Sequence, residues 1–296
     1  MKTIAINQHL LGFYFGGDAD PDEAMLDKQF EENWMVDGCN ALGVCCYVVH
    51  SGHEALVYDT LCTPEQMGEV KNYLQNQGIT KFTVALSHWH LDHVGGTAIF
   101  ENCNVISNSK TRQYLIEHKS AIESATLWGQ PPIKPLILPN LIFNDSLSIF
   151  IGNVEVELHN INIHSDDGVF IYLPQFKYFL AGDMLEDTCP FVTNPLEIQT
   201  HLANLALIAK KDIQKIYPNH GRYNTIKNGG YCKELIDSVV YYLDKMYQAV
   251  EQNPNCEEPD LHTFAAKYLD KGIIQYWEPY EKVHKLNFSR VKACYK

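Results

Sequence analysis

Four side chains that can bind a metal lie within six residues of one another, at His88, His90, Asp92 and His93. They form the pattern HxHxDH, directly after a run, KFTVALS, with the apolar and β-branched composition of a short buried strand. On an extended segment the side chains of His88 and His90 point the same way, because alternate residues share a face. Asp92 and His93 follow where the chain turns into a helix, and we expect them to face the same space. Zinc binds imidazole and carboxylate groups, so this segment predicts a metal site at the end of a strand.

Three later segments extend this pattern. His164 lies in NIHSDDG between two strand-like runs, Asp183 follows KYFLAG, and His220 lies in IYPNHG. In these blocks and in their order the chain resembles the metallo-β-lactamase superfamily over residues 3–250. Its ligand set is similar to that of hydroxyacylglutathione hydrolases (glyoxalase II) and lactonases. The resemblance implies an α/β (α+β) fold, a four-layer αβ/βα sandwich with the metal site at one edge between two sheets.

The resemblance also implies how seven residues would share two metal ions. One ion would be held by His88, His90 and His164, and the second by Asp92, His93 and His220. Asp183 would bridge both ions, and Asp92 and Asp183 would be the catalytic residues, with Asp92 orienting the nucleophile. The expected metal is Zn²⁺, two ions per chain, with Fe or Mn as alternatives. Such a pair of ions lowers the pKa of bound water. This predicts a hydrolase whose metal-bound hydroxide attacks a small carbonyl substrate: a thioester, lactone, ester or β-lactam.

Two positions narrow the choice among subfamilies. Asp183 occupies the bridging position, which makes the zinc β-lactamases with a cysteine ligand a poor match. Glu186 stands three residues later, where a quorum-quenching lactonase would have a tyrosine. Three alternatives remain open at this point. One is a persulfide dioxygenase of the same fold, with a single iron held by two histidines and an aspartate. The others are a phosphodiesterase and a non-catalytic binding protein that retains the fold.

Further residues are candidates for supporting roles. Asp59, in LVYDT at a strand end, is expected either to orient a ligand histidine or to cap a turn. Asp166 and Asp167 are expected in a turn, and Trp89 is expected to point away from the metals. A role in lining the substrate pocket is open for five aromatic residues: Trp34, Trp89, Trp128, Phe191 and Tyr223. The other eight histidines are interpreted as surface or core residues: His9, His50, His53, His118, His159, His201, His262 and His284.

The elements that must position these residues alternate between strand and helix. Strand-like residues 3–15, 42–50 and 55–58 precede a helix at residues 64–77, which begins at Thr63–Pro64 and ends before Gly78. We predict a strand at 81–87, a helix at 109–126, a β-rich stretch over 141–181, and amphipathic helices at 199–211 and 231–251. This order is typical of a layered α/β sandwich. We assign residues 1–252 to a catalytic domain and 253–296 to a mostly helical C-terminal extension packed on it.

Composition and charge exclude several classes of protein. A chain of 296 residues with 46% hydrophobic and 20% charged residues can bury a sizeable core and is not disordered. The formal net charge of −13 argues against nucleic acid or an anionic membrane as a partner. We expect a small-molecule substrate, which a positive metal centre would allow to be anionic, and the C-terminal segment is a candidate for a homodimer contact.

The expected location is the cytoplasm. No stretch of the sequence approaches the roughly 20 apolar residues of a membrane span, and the first residues lack the pattern of a secretory signal. The nine cysteines include no CxxC pair, which favours free thiols in a reducing compartment.

Overall fold

Two mixed β-sheets lie at the centre of the fold, which a computed structural model describes over residues 1–21 and 33–295. The first sheet has seven strands in the order β1 (Lys2–Asn7), β2 (Leu10–Phe15), β3 (Val44–Ser51), β4 (Glu54–Tyr58), β5 (Lys81–Ala85), β6 (Asn104–Asn108) and β7 (Leu141–Phe143). Neighbours are antiparallel from β1 to β4 and parallel from β4 to β7. The second sheet has five strands in the order β8 (Ser146–Ile151), β9 (Val154–Asn160), β10 (Val169–Leu173), β11 (Tyr178–Gly182) and β12 (Lys215–Pro218). Only β11 and β12 are parallel in this sheet.

The strand-like residues at the N-terminus form two strands, β1 and β2. β1 ends at Asn7, whose side-chain oxygen accepts a hydrogen bond of 2.7 Å from the backbone N–H of His9. The chain reverses there, and β1 pairs antiparallel with β2, with Lys2 opposite Tyr14. The strand-like residues 3–15 thus form two strands rather than a continuous one, because the polar residues between the two apolar runs form a turn.

Helices flank both sheets. The helix α1 (Pro64–Asn76) begins as predicted, at a capping box in which Thr63 Oγ1 accepts from the N–H of Gln66 at 3.2 Å and Gln66 Oε1 accepts from the N–H of Thr63 at 3.3 Å. The other α-helices are α2 (Leu91–Val94), α3 (Ser109–Glu123), α4 (Ile198–Ile208), α5 (Tyr223–Lys227), α6 (Glu234–Gln252), α7 (Leu261–Leu269) and α8 (Tyr280–Ala293). Short 3₁₀ or π turns occur at Gly17–Ala19, Val36–Asn40, Thr97–Phe100 and Pro195–Glu197. The helix α6 starts later than predicted because Tyr231 forms a backbone bridge with Ile216 of β12.

Side chains of the first sheet face two different apolar clusters. In β3, Cys45 and Tyr47 belong to the cluster shared with the second sheet, whereas Cys46 and Val48 belong to the cluster that includes α1 and α3. This follows from the two-residue period of a strand. The buried apolar residues of helices α4, α6, α7 and α8 belong to the cluster that includes the second sheet. The order of layers is helix, sheet, sheet, helix, and the predicted four-layer αβ/βα sandwich is confirmed.

The C-terminal segment consists of α7 and α8, which pack on each other and on α6. Its separation from residues 1–252 as an extension stays a prediction. None of the described helices is long and apolar enough to cross a bilayer. All nine cysteines are free thiols, and five of them are buried.

Candidate metal centre

Seven histidine and aspartate side chains from separate blocks of the chain meet where β5, β11 and β12 end. They form two groups, and within each group the atoms able to bind a metal lie within 4.8 Å of one another: His88, His90, His164 and Asp183 in the first, and Asp92, His93 and His220 in the second. The structure thus brings together all seven residues singled out in the sequence. The two groups divide as the resemblance implied, with Asp183 counted in the first.

The HxHxDH segment has the local shape that its pattern predicts. β5 ends at Ala85, and His90 is extended, with φ of −64° and ψ of 151°, before α2 begins. His88 and His90 therefore precede the helix, whereas Asp92 and His93 lie within it. The loop is also tied to the second sheet, because the N–H of Val169 in β10 donates to the carbonyl of Ser87 at 2.7 Å.

A glycine lets Asp183 enter the site from the end of β11. Gly182 has a φ of +56°, in the left-handed region that favours glycine. A Cβ at this position would lie 3.1 Å from the Cβ of Ser87 and 3.1 Å from the hydroxyl of Tyr58. The end of β11 can therefore approach Ser87, after β5, and Tyr58, at the end of β4, only because Gly182 has no side chain.

The carboxylate of Asp183 contacts both groups. Its Oδ2 atom lies 3.6 Å from Nε2 of His88 and 3.9 Å from Nε2 of His164, both in the first group. The same atom lies 3.0 Å from Nε2 of His93 and 3.5 Å from Nε2 of His220, both in the second. The position of this oxygen is the one that a bridging ligand needs.

The spacing and chemistry of the donors suit zinc ions. Two ligands about 2.1 Å from one tetrahedral ion lie roughly 3.4 Å apart, and Nε2 of His164 lies 3.1 Å from Nδ1 of His90. Nε2 of His88 and Oδ1 of Asp183 are buried and have no hydrogen-bond partner in the described part of the chain. Buried polar atoms normally have a partner, so these two atoms fit the role of metal ligands.

Hydrogen bonds on the outer side orient most of these imidazoles. Four of the five histidines direct Nδ1 away from the centre, toward an oxygen atom: His88 to Oγ of Ser87 (2.8 Å), His93 to Oδ2 of Asp59 (2.9 Å), His164 to the carbonyl of Phe191 (3.1 Å) and His220 to the carbonyl of Gly43 (2.5 Å). The partners of His93, His164 and His220 can only accept, so Nδ1 is the donor in these three, and Nε2 is directed toward the centre. Two of the four partners are backbone carbonyls, which the sequence does not reveal because every residue has one.

Asp59 has the first of its two expected roles, since it holds His93. Its Oδ2 atom also accepts a hydrogen bond of 2.6 Å from Nδ2 of Asn219. Asn219 is buried and was missed in the sequence. Its place directly before His220, in IYPNHG, is the one signal that could have identified it.

Burial keeps the histidines of the first group neutral. It lowers the pKa of His88 well below its ordinary value, that of His90 to about 3 and that of His164 to about 4. Imidazole must be neutral to bind a metal. These three side chains are therefore ready to bind an ion at pH 7 without losing a proton.

The carboxylates have the opposite effect on the second group. Burial alone would lower the pKa values of His93 and His220, but Asp183 and Asp92 outweigh it and raise them, to about 10 for His220. Burial would likewise raise the pKa of Asp183, but His93 and His220 hold it well below its ordinary value. Without metal, the second group thus holds protons that a bound cation must displace.

Glu186 is a buried acid beside the first group. Its Oε1 atom lies 3.8 Å from Nδ1 of His164 and accepts a hydrogen bond of 2.8 Å from the N–H of Phe191. The hydroxyl of Tyr280 donates to Oε2 at 3.3 Å. Burial and then the charge of Asp183 raise the pKa of Glu186 to about 8, so its carboxyl is mostly protonated at neutral pH.

Three of the five aromatic candidates have rings close to histidines of the centre. Trp128 is 44% exposed and its ring lies 5.4 Å from that of His90, while the rings of Phe191 and His164 are 6.0 Å apart. The indole of Trp89 lies 5.7 Å from the ring of His90 and packs on side chains of α3 and on Trp128, so it is not clear of the centre as predicted. Trp89, Trp128 and Phe191 are therefore the candidates that border the site.

The remaining candidates make contacts outside the two groups. These contacts are Trp34 with the carbonyl of Pro131, Tyr223 with the ring of Tyr14, Asp166 with Lys110 and Tyr114 of α3, and Asp167 with the hydroxyl of Ser165. Asp166 and Asp167 lie in a turn, as predicted. None of the other eight histidines joins a metal-binding group among residues 1–21 and 33–295.

A family model and a related sequence match this chain. Residues 40–220 match the family model described as the metallo-beta-lactamase superfamily. A Drosophila melanogaster protein named beta-lactamase-like protein 2 homolog is 26% identical over 231 residues, which are 73% of this chain and 70% of that protein.

Solved structures share the fold at low sequence identity. A metallo-beta-lactamase from Pontibacter korlensis has a TM-score of 0.57 at 16% identity, covering 80% of this chain and 95% of that one. A metallo-beta-lactamase from Hirschia baltica has a TM-score of 0.56 at 14% identity, covering 81% and 96%. The family model spans more than half of the chain, and the His/Asp set within it is that of a metallohydrolase. The chain therefore belongs to the metallo-β-lactamase superfamily.

Proposed function

We propose that this protein is a zinc-dependent hydrolase with a dinuclear centre that acts on a small carbonyl substrate. The observation that carries the proposal is the position of Asp183, whose Oδ2 atom lies within 3.9 Å of imidazoles in both groups. The second group offers three protein ligands of its own. Three protein ligands are enough to hold a catalytic zinc ion.

The side chains of the centre have distinct tasks in this proposal. Two divalent ions bound together lower the pKa of water between them and polarise a carbonyl or phosphoryl oxygen. Asp92 is the acid with the most access to a substrate, because its side chain is 16% exposed against 5% for Asp183. Burial would raise the pKa of Asp92, but His93 and His220 lower it to about 2. Asp92 is therefore a carboxylate at neutral pH and can orient a nucleophile or accept its proton.

The surroundings of the centre favour a small substrate with an apolar part. Trp128 presents a partly exposed ring beside His90, and an aromatic face packs well on apolar groups. Thioesters, lactones, esters and β-lactams all offer a carbonyl of this kind. Two bound cations would also offset part of the formal charge of −13, so an anionic substrate is compatible with the site.

The principal alternative is the mononuclear iron persulfide dioxygenase. Its single iron would be held by two histidines and one aspartate, and the second group would bind no metal. That group is nevertheless assembled, with Nε2 of His220 3.1 Å from Oδ2 of Asp92 and Nε2 of His93 3.5 Å from Oδ1 of Asp92. The presence of both groups favours the dinuclear hydrolase.

One experiment separates these activities. The protein is purified without added metal, its metal content is measured, and it is then assayed with excess Zn²⁺ on thioesters, lactones, esters, β-lactams and phosphodiesters. We expect two zinc ions per chain and turnover of at least one carbonyl substrate, lost on chelation and restored by Zn²⁺. Iron near one equivalent, with oxygen uptake on glutathione persulfide, would overturn the proposal. Turnover of phosphodiesters alone would overturn its carbonyl part.

We also propose that the protein is located in the cytoplasm. All nine cysteines are free, and free thiols persist in a reducing compartment. Fractionation of the source cells tests this location, and recovery from an oxidising compartment would contradict it.

A further inference from the structure

The loop after β11 orients one of the candidate ligands. Nδ1 of His164 lies 3.1 Å from the carbonyl oxygen of Phe191, which fixes that nitrogen as the donor. Thr193 lies on the other side of the same imidazole, with its hydroxyl 3.4 Å from Nε2. The direction in which His164 presents Nε2 therefore depends on where the backbone of this loop lies. The loop has no regular secondary structure of its own between Glu186 and Thr193.

A single asparagine of the C-terminal helix α8 holds this backbone. Asn287 is completely buried. Its Oδ1 atom accepts a hydrogen bond of 2.8 Å from the N–H of Val192, and its Nδ2 atom donates to the carbonyl of Pro190 at 2.7 Å. These two bonds flank Phe191 on both sides. The amide side chain thus pairs with the backbone of the loop through one acceptor and one donor, as the backbone of a neighbouring strand would.

Two further side chains of the C-terminal segment act on the same loop. Tyr280, at the start of α8, donates to Glu186, which in turn accepts from the N–H of Phe191. Arg290, one turn after Asn287, donates to the carbonyl of Thr193 and lies 5.3 Å from the ring of Phe191. Three residues of one helix, Tyr280, Asn287 and Arg290, thus act on residues 186–193.

Asn287 is itself held in place from behind. Its Nδ2 atom also donates to the hydroxyl of Tyr242 in α6, at 3.1 Å. That hydroxyl lies 2.8 Å from Nδ1 of His284, whose Nε2 lies 2.9 Å from the carbonyl of Pro259. Buried polar networks in which every member has a partner are rigid, and this one leaves the amide of Asn287 a single orientation.

We propose that α8 is a positioning element of the metal centre, and that Asn287 acts through the Phe191 carbonyl to hold His164 in the orientation that binds metal. This rests on the proposed metal site but goes beyond it. The helix lies outside residues 40–220, which the family model matches, so this support is a feature of the chain's own C-terminal segment. Asn287 is a positioning residue, since it touches neither a ligand histidine nor the space between the two groups.

The affinity for Zn²⁺ tests the proposal without any assay of activity. The variant Asn287→Leu keeps the size of the side chain but removes both bonds to residues 190–192. Loss of a group that orients a metal ligand typically costs about 10–100-fold in metal affinity. In competition with a chelator, we expect one of the two zinc affinities to fall by about that factor and the other to stay unchanged. The absorption spectrum of the Co²⁺-loaded variant should change with it.

A neighbouring residue supplies the matched control. Phe288 is completely buried in the same helix and packs on Phe264 and His284. Phe288→Leu weakens the packing of α8 without removing a hydrogen bond to the loop, and we expect it to keep both zinc affinities. An equal loss of affinity in Phe288→Leu would overturn the proposal, because the effect would then be general packing. Unchanged affinities in folded Asn287→Leu would overturn it as well.

A second variant decides the matter if Asn287→Leu does not fold. Tyr280→Phe removes only the hydroxyl that donates to Glu186, and we expect a smaller loss in the same zinc affinity. No loss there would contradict the proposal. Zinc binding by the wild-type protein separates a failure of the proposed function from a failure of the role proposed for α8. If the wild-type protein binds no zinc, the proposed function fails and this inference with it; if it binds two ions that the variants also bind normally, only this inference fails.

Discussion

The carboxylate of Asp59 joins three blocks of the chain that are far apart in sequence. Oδ1 accepts from the N–H of Ser87 at 2.6 Å, and Oδ2 accepts from Nδ1 of His93 and from Nδ2 of Asn219 at 2.9 and 2.6 Å. The residue is buried and has a φ of +66°, in the left-handed region. A non-glycine residue in that conformation carries a cost of about 1–3 kcal/mol. The three hydrogen bonds offset this cost.

We therefore expect Asp59→Asn to weaken the second group of ligands. The NH₂ group of the asparagine would face Nδ1 of His93 and Nδ2 of Asn219, which are both donors. The imidazole of His93 would then have no acceptor. The zinc affinity should fall by about 10–100-fold, and the free energy of unfolding by about 1–3 kcal/mol. Chelator competition and urea unfolding measure the two effects. Asp212→Asn, at an acid 75% exposed and paired with Lys177, is the control and should change neither. Unchanged zinc affinity in Asp59→Asn would contradict the assigned role.

Asp183 is the residue on which the dinuclear interpretation depends. Replacement by alanine removes the one oxygen that contacts imidazoles of both groups. We expect Asp183→Ala to lower the metal content from two ions toward one or less and to abolish turnover. Metal analysis after dialysis, together with the hydrolysis assay, measures both. If two ions remained bound and activity survived, the bridging role would be wrong.

At the scale of elements, the sequence allows most strands and helices to be predicted but not all of their contacts. The HxHxDH segment could be placed because a strand period and a helix start are local properties. The resemblance brought in His164, Asp183 and His220, which local pattern alone does not connect. The acceptors at Phe191 and Gly43 could not be foreseen, because they are backbone carbonyls whose positions follow from the packing of distant segments.

The contact of α2 with the segment before α1 shows such packing. Gly95, at the end of α2, has ordinary helical angles, but a Cβ there would lie 2.0 Å from the carbonyl oxygen of Cys62. Gly68, within α1, has nothing within 4 Å of an added Cβ. The two glycines have similar backbone conformations and opposite surroundings. The same region is joined by hydrogen bonds from the N–H of Thr60 to the carbonyl of His93 at 2.7 Å and from the N–H of Gly95 to the carbonyl of Leu61 at 3.0 Å.

The same substitution at these two glycines should therefore have opposite effects. Gly95→Ala forces the backbone of α2 away from Cys62, which should cost about 1–3 kcal/mol of stability or more and lower the zinc affinity. Gly68→Ala should stabilise the protein by about 0.5–1 kcal/mol, because alanine restricts the unfolded chain and favours the helix. Urea unfolding of both variants measures the difference. A destabilised Gly68→Ala or a neutral Gly95→Ala would contradict the packing described.

At the scale of the whole molecule, Asp187 connects segments from both ends of the chain. Its Oδ1 accepts from the N–H of Gln275 in the C-terminal segment at 2.8 Å, and its Oδ2 accepts from the hydroxyl of Tyr231, after β12, at 2.7 Å. That hydroxyl accepts from the N–H of Arg222, whose guanidinium lies 3.3 Å from Asp18 near the N-terminus. The C-terminal segment is thus joined to the rest of the protein by a buried acid as well as by apolar packing.

This buried acid should make stability fall as pH rises. Burial raises the pKa of Asp187 from 3.8 to about 7, although hydrogen bonds from Gln275 and Tyr231 and the charge of Arg222 act in the other direction. Between about pH 4 and 7 the folded state then binds more protons at this residue than the unfolded state, so its contribution to stability is complete at low pH and decreases up to pH 7. The loss amounts to at most about 4 kcal/mol. Asp187→Asn keeps the size without the charge and should lack this decrease. The free energy of unfolding of both proteins is measured with urea at pH 5, 6, 7 and 8, at one metal concentration. If it changes with pH in the same way in both proteins, the pKa of Asp187 in the folded protein is ordinary and the prediction is wrong.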